Sequence, residues 1–180
     1  MSSYTRHHVN VTMTKSKTSA NYVNSVLAKG EVKKAGYDEA IMLDTEGYVS
    51  EASGENIFIV RGGRLKTTPL TSILPGITRE SIITLARELG YSVTETNLPR
   101  ESLYTADEVF VVGTAAEVTP IRSIDKITIG IGRRGPVTTR LQTAFFDVVN
   151  GNVPDTHGWL TYVYGHEQSH SSRTKAATRA

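Results

Sequence analysis

Cysteine is absent from this chain of 180 residues, and its absence excludes several kinds of site at once. Without a thiol there is no disulfide framework, no thiolate zinc site and no cysteine nucleophile. The five histidines stand as one pair, His7 and His8, and as three that begin at His157, with no HExxH-like spacing. We therefore predict no metal site. A chain of this length buries enough surface to fold without such staples.

Long apolar runs are also lacking. None approaches the roughly 18 residues that a membrane-spanning helix needs, and the polar first ten residues have no hydrophobic core of a signal peptide. We therefore expect a cytoplasmic protein with no membrane partner. The formal net charge of +2 lies in the last 16 residues, and the remainder has 17 basic and 17 acidic side chains. A balanced body of this kind does not predict a nucleic-acid surface.

Hydrophobic periodicity predicts one α+β domain, built on a twisted and mostly antiparallel sheet with about three main helices. The helices are predicted at 22–35, 80–90 and 137–149, with a helical turn at 101–104. Strands are predicted at 39–43, 48–52, 56–60, 65–67, 91–96, 108–112, 118–121 and 127–129, with a possible edge or linking strand at 9–13. The first helix is expected to bury Val23, Val26, Leu27 and Val32, and the last to bury Leu141, Ala144, Phe145, Val148 and Val149. Residues 159–163 are expected to close the folded part, and residues 165–180 are predicted to be disordered.

A helix start at 74–79 is the first candidate site. Pro75 and Gly76 precede an amphipathic helix, so the backbone N–H groups near Ile77 and Thr78 have no intrahelical partners. Free N–H groups beside a hydroxyl can bind an anion. Taken alone, the pattern is more typical of an ordinary helix start with a threonine cap.

Three further segments could carry chemistry. Lys17 lies in a loop of small residues before a helix, where a buried lysine can act as a Schiff-base nucleophile, although an exposed lysine is the commoner case. Glu51 lies in a segment, 50–58, that is dense in acids, amide and small residues; it could face a cavity or lie on a surface bend. Gly113 and Thr114 end a buried strand, where they form either a tight turn or a close approach to a ligand.

The four segments together resemble the signature segments of branched-chain amino acid aminotransferases, which are fold-type IV pyridoxal-phosphate enzymes. They read KTSANYVNS from Lys17, SEASGEN from Ser50, LPGITR from Leu74 and GTAAEVTP from Gly113. The resemblance extends from about Met13 to Val163, with the segments in order and matching in spacing. It implies the large domain of that fold, a twisted sheet of pseudo-barrel form, and a homodimer.

The resemblance also implies roles for individual residues. Lys17 matches the lysine that forms a Schiff base with pyridoxal 5′-phosphate and then shuttles the α-proton, and Glu51 matches the carboxylate that keeps the ring nitrogen protonated. The remaining matches are Tyr22 on the phenolic oxygen, Ile77, Thr78 and Thr114 on the phosphate, Leu74 and Gly113 elsewhere around the cofactor, and Thr114 and Ala115 on the substrate carboxylate. The implied reaction moves an amino group between leucine, isoleucine or valine and 2-oxoglutarate.

The chain departs from the family pattern in two places. The residues after Lys17 are less rich in glycine than usual. The family's smaller N-terminal domain, with its arginine for the phosphate, has no counterpart here. We therefore predict a remnant of the interdomain segment at 1–14, a cofactor-binding domain at 15–164 and a tail at 165–180. Three readings stay open besides the active aminotransferase: a D-amino acid aminotransferase, an aminodeoxychorismate lyase, and a truncated, catalytically impaired cofactor-binding domain.

Overall fold

A five-stranded sheet forms the centre of the computed structural model, which describes residues 1–163. The strands are β1 Ile41–Leu43, β2 Val49–Ala52, β3 Asn56–Arg61, β4 Arg64–Thr67, β5 Val93–Glu95, β6 Glu108–Gly113, β7 Glu117–Ile121, β8 Ser123–Ile124 and β9 Ile127–Thr128. The helices are α1 Tyr22–Lys34, α2 Ile77–Glu88, α3 Glu101–Tyr104 and α4 Pro136–Val149, with a 3₁₀ turn at Ser19–Asn21 before α1. The predicted α+β class with three main helices is confirmed.

The central sheet has the order β5-β4-β3-β6-β7, and every pair is antiparallel except β4 with β5. Two-stranded pairs, β1 with β2 and β8 with β9, complete the fold. The turn between β3 and β4 is made by Gly62 and Gly63, both at positive φ, where glycine has no steric penalty. The strands predicted at 56–60 and 65–67 are thus joined as a hairpin.

Strand β3 is buried on both faces because its side chains alternate between two cores. Phe58 and Val60 join the core under α2 and α4, where Phe58 stacks on Phe110 of β6 at 5.1 Å between ring centroids. Ile57 and Ile59 join the opposite core. Ile82, Ile83, Leu85 and Ala86 of α2 lie in the first core, and Leu89 is partly buried against it. The sheet is therefore a rigid support for whatever its strand ends carry.

Helix α1 has the predicted length but buries a different face. Of its four predicted core residues only Val32 is buried, whereas Val23, Val26 and Leu27 are exposed. The buried side is made by Ser25, Ala28 and Val32, and Ala28 and Val32 pack against Ala40 and Met42. Small residues allow α1 to lie close to this core, so the larger apolar stripe is turned away from it.

Several other sequence predictions are wrong in detail. Residues 9–12 form turns rather than a strand, since the amide of Val11 bonds to the carbonyl of His8 within the segment. Val149, which was expected to be buried by the last helix, is exposed at the end of α4. The β8 strand was not predicted because it has only two residues. The tail predicted at 165–180 lies outside the described residues. Among residues 1–163, no helix is long and apolar enough to cross a membrane.

Candidate active site

A cavity of about 250 Å³ lies where β3 begins and β6 ends, beside the loop before α1 and the start of α2. The residues in its walls that the sequence predicted to bind a cofactor are Lys17, Tyr22, Glu51, Leu74, Ile77, Thr78, Gly113 and Thr114. Ala115 follows Thr114 in the β6–β7 turn and is not part of the lining. The fold therefore brings four distant segments together at one end of the sheet.

The amine of Lys17 donates a hydrogen bond to the hydroxyl of Tyr22 at 2.9 Å, so the first residue of α1 orients it. The loop that carries Lys17 is braced by the buried Asn21. The side-chain amide of Asn21 donates to the carbonyls of Met13 and Ser16, both at 2.9 Å. These two bonds fix the conformation of the loop. The sequence pattern alone assigned no role to Asn21.

Glu51 is 6% exposed in β2 and accepts from several donors. Its Oε2 accepts from the backbone N–H of Leu74 and from the side-chain amide of Asn56, both at 3.1 Å. Its Oε1 lies 2.8 Å from Nε of Arg6. Burial raises the pKa of Glu51 to about 7, and the charge of Arg6 and the N–H of Leu74 oppose this rise. A carboxylate has about four acceptor positions, and both hydrogen bonds are to Oε2, so Oε1 has acceptor capacity for a ligand beside Arg6.

Arg6 is a residue of the cavity wall that sequence reasoning missed. It is 6% exposed, and the N–H of its Nε is not aligned for a hydrogen bond with any described atom. The backbone N–H of Arg6 donates to the carbonyl of Leu43 at 2.7 Å, which fixes the segment beside β1. The segment has no periodicity, so no local signal marks the residue. Lys15, Ser53, Gly54, Glu55, Asn56, Pro75, Gly76 and Val112 also line the cavity.

The start of α2 forms another part of the cavity wall. Gly76 is the N-cap residue, and it has no side chain that could accept a hydrogen bond from the first turn. The first helical hydrogen bond runs from the amide of Glu80 to the carbonyl of Gly76. The amides of Ile77 and Thr78 thus have no intrahelical partner. Thr78 is buried, whereas Thr114, which also lines the cavity, is exposed. This wall offers backbone donors and hydroxyls suited to an anion.

The model for the family "Amino-transferase class IV" matches residues 1–124, which is about two thirds of the chain. The chain belongs to this family. The chain is 54% identical over 162 residues to the branched-chain-amino-acid aminotransferase of Pseudomonas aeruginosa, covering 90% of this chain and 53% of that protein. The chain thus spans about half the length of the curated relatives it matches.

Solved structures give a similar result. The chain is 53% identical to a branched-chain amino acid aminotransferase of Escherichia coli, with a TM-score of 0.89 over 91% of this chain and 54% of that one. It is 45% identical to the branched-chain amino acid aminotransferase of Thermobaculum terrenum in its PLP-form (holo-form), with a TM-score of 0.83 over 84% of this chain and 50% of that one. Both likenesses agree with the predicted fold class.

Proposed function

We propose that this chain carries the pyridoxal-phosphate site of a branched-chain amino acid aminotransferase. The observation that supports it is the meeting of an amine, Lys17, a buried carboxylate, Glu51, and an uncapped helix start at Ile77 in one cavity. Pyridoxal phosphate has three groups that need partners in a binding site. The amine would bind its carbonyl, the carboxylate its ring nitrogen, and the helix start its phosphate. The similarity to proteins named as branched-chain aminotransferases supports the same proposal.

The residues present fit that cofactor. Oε1 of Glu51 has acceptor capacity left, which suits the N–H of a protonated ring, and the Arg6 charge beside it favours the ionised carboxylate. Gly113 and Gly54 lie close together, since a Cβ on Gly113 would be 3.4 Å from the carbonyl oxygen of Gly54. The backbone here is thus close-packed at the cavity wall.

Pyridoxal phosphate, when bound, supplies a protonated ring that accepts the electron pair left at the α-carbon of an amino acid. The chain's own residues would do the rest. Lys17 is the amine that holds the cofactor and, once displaced, moves the proton at the α-carbon. Tyr22 orients that amine, and Glu51 keeps the ring nitrogen protonated. The amides of Ile77 and Thr78, with the hydroxyls of Thr78 and Thr114, hold the phosphate.

The proposal is tested by adding pyridoxal phosphate to the purified chain and recording the visible absorption band. The wild type is expected to show a band, and borohydride reduction should fix the cofactor's mass on the Lys17 peptide. Lys17→Ala should lose both signals. Lys15→Ala, which changes a second lysine of the same cavity wall, should keep both. A wild type with no lysine-dependent band would refute the cofactor assignment.

Turnover separates the remaining readings. Transfer from leucine to 2-oxoglutarate supports the branched-chain activity, whereas transfer from D-alanine supports a D-amino acid aminotransferase. Release of pyruvate from aminodeoxychorismate supports the lyase. A cofactor band without turnover of any substrate supports the catalytically impaired domain. The domain boundaries at 14 and 164 and the cytoplasmic location stay predictions.

We also propose that the chain forms a homodimer. The exposed stripe of Val23, Val26 and Leu27 on α1 supports it, because an apolar helix face of this kind is typical of an interface. Sedimentation velocity should show a dimer that Val26→Asp weakens. Ser171→Asp adds the same charge in the tail and serves as the control.

A further inference from the structure

Asn56 connects the two ends of the candidate cofactor site. It is the first residue of β3 and is 5% exposed. Its amide nitrogen lies 3.1 Å from Oε2 of Glu51 and 3.0 Å from the carbonyl oxygen of Leu74, and donates to both. An amide nitrogen has two hydrogens, so this side chain uses its full donor capacity between a carboxylate and the loop before α2.

The oxygen of the same amide lies against Gly76. A Cβ on Gly76 would be 2.2 Å from Oδ1 of Asn56, which is far inside contact distance. Gly76 has φ −73° and ψ 137°, a conformation open to any residue. The contact with Asn56, rather than the backbone conformation, therefore requires a glycine at this position.

The backbone of Leu74 also bonds directly to Glu51. The N–H of Leu74 donates to the same Oε2 that accepts from Asn56, so Glu51, Asn56 and Leu74 form a closed set of hydrogen bonds. Its members come from β2, β3 and the loop before α2. We call Glu51 the ring anchor, and the free N–H groups of Ile77 and Thr78 the phosphate anchor.

We propose that Asn56 is a positioning residue that fixes the ring anchor relative to the phosphate anchor. The inference rests on the proposed function, because it concerns a ligand with an aromatic nitrogen at one end and a phosphate at the other. A rigid ligand gains from both anchors only when their separation matches its own length. The single amide of Asn56 sets that separation from both sides, since Glu51 bonds to it and Gly76 packs on it.

The experiment compares the dissociation constants of pyridoxal 5′-phosphate and of pyridoxal, which has the same ring without the phosphate. The dissociation constant of pyridoxal divided by that of pyridoxal 5′-phosphate is the ratio that measures what the phosphate anchor adds to binding. In Asn56→Ser both anchors persist, because Glu51 keeps Arg6 and the N–H of Leu74. We expect the ratio to fall by about tenfold or more, chiefly through weaker binding of the phosphorylated ligand.

A second variant tests the same contact from its other side. Gly76→Ala should lower the ratio in the wild-type background, because its methyl group displaces the amide. In the Asn56→Ser background, where the shorter side chain leaves room, it should add little. This non-additivity is expected only if the two residues act through one contact. If Asn56→Ser does not fold, the ratio measured for Gly76→Ala alone tests the proposal.

Thr67→Val is the matched control. The hydroxyl of Thr67 donates to the carbonyl of Ile57 at 2.7 Å, so the variant removes another buried hydrogen bond of β3 without touching either anchor. It should lower the melting temperature and leave the ratio unchanged. If Asn56→Ser behaves in the same way, or if the two substitutions are additive, the positioning role is wrong. If the wild type does not bind pyridoxal phosphate at all, the proposed function fails as well.

Discussion

The guanidinium of Arg6 and the carboxylate of Glu51 form an ion pair in the cavity wall, with Nε 2.8 Å from Oε1 and each side chain 7% exposed. A buried pair loses hydration on both sides, and its attraction repays this only with good geometry and further hydrogen bonds. Glu51 has two such bonds, from Leu74 and Asn56. The Nε–H of Arg6 makes none with the described part of the chain. Burial therefore outweighs the pairing, and the pKa of Glu51 is raised to about 7.

The raised pKa predicts a stability that depends on pH. The pKa of Glu51 is about 7 in the folded chain against 4.5 for an unperturbed glutamate, so between these values the folded state binds more protons than the unfolded state. The free energy of unfolding therefore falls as pH rises from about 4.5 to 7, by at most roughly 3 kcal/mol, and stays lower above 7. Glu51→Gln should lack this fall. Urea unfolding from pH 4.5 to 8 measures it, and parallel curves for the two proteins would contradict the prediction.

Removing the charge of Arg6 should extend the same fall to higher pH. The Arg6 charge lowers the pKa of Glu51, so in Arg6→Met the pKa rises above about 7 and the fall ends at a higher pH. Arg6→Lys keeps a charge and is the control, with an end point close to that of the wild type. Melting temperatures measured against pH check this. An unchanged end point in Arg6→Met would mean that Arg6 has no electrostatic effect on Glu51.

Glu51→Gln should separate cofactor binding from turnover. Glutamine keeps the shape of the side chain but carries no negative charge, so it does not hold a ring nitrogen in its protonated form. We expect the dissociation constant of pyridoxal phosphate to change by less than about tenfold and turnover to fall by at least about a hundredfold, if the wild type is active. Absorbance titration and a coupled transamination assay measure the two. Equal turnover in the variant and the wild type would refute the role of Glu51.

Glu108 should be important for stability rather than for chemistry. Its carboxylate accepts from the amides of Val137 and Thr138 and from the Thr138 hydroxyl, at 2.6 to 3.0 Å, and so caps α4. Glu108→Ala should cost roughly 2 kcal/mol, as the loss of a strong cap does. For a chain of this size that lowers the melting temperature by about 4–8 °C. Glu117→Ala, at an exposed position, should change it little, and cofactor binding should persist in both.

The predictions from sequence succeeded where a local pattern determines the structure. The turn before α2 and the alternation in β3 follow from adjacent residues, so their positions were found. The buried face of α1 was not, because periodicity detects the stripe of Val23, Val26 and Leu27 but not which side of the helix meets the core. Arg6 was missed for a related reason. Its place beside Glu51 depends on backbone hydrogen bonds to β1, and the residues next to it in the sequence do not predict those bonds.

The walls of the cavity come from positions as far apart as Arg6 and Thr114, so no short stretch of the chain contains the site. An unfolded chain therefore has almost no affinity for a ligand that needs all of them. Such a ligand acts as a thermodynamic chaperone, since at a hundred times its dissociation constant it adds about 2.7 kcal/mol to the free energy of unfolding. The supply of cofactor would then control how much of the protein is folded as well as how much is active.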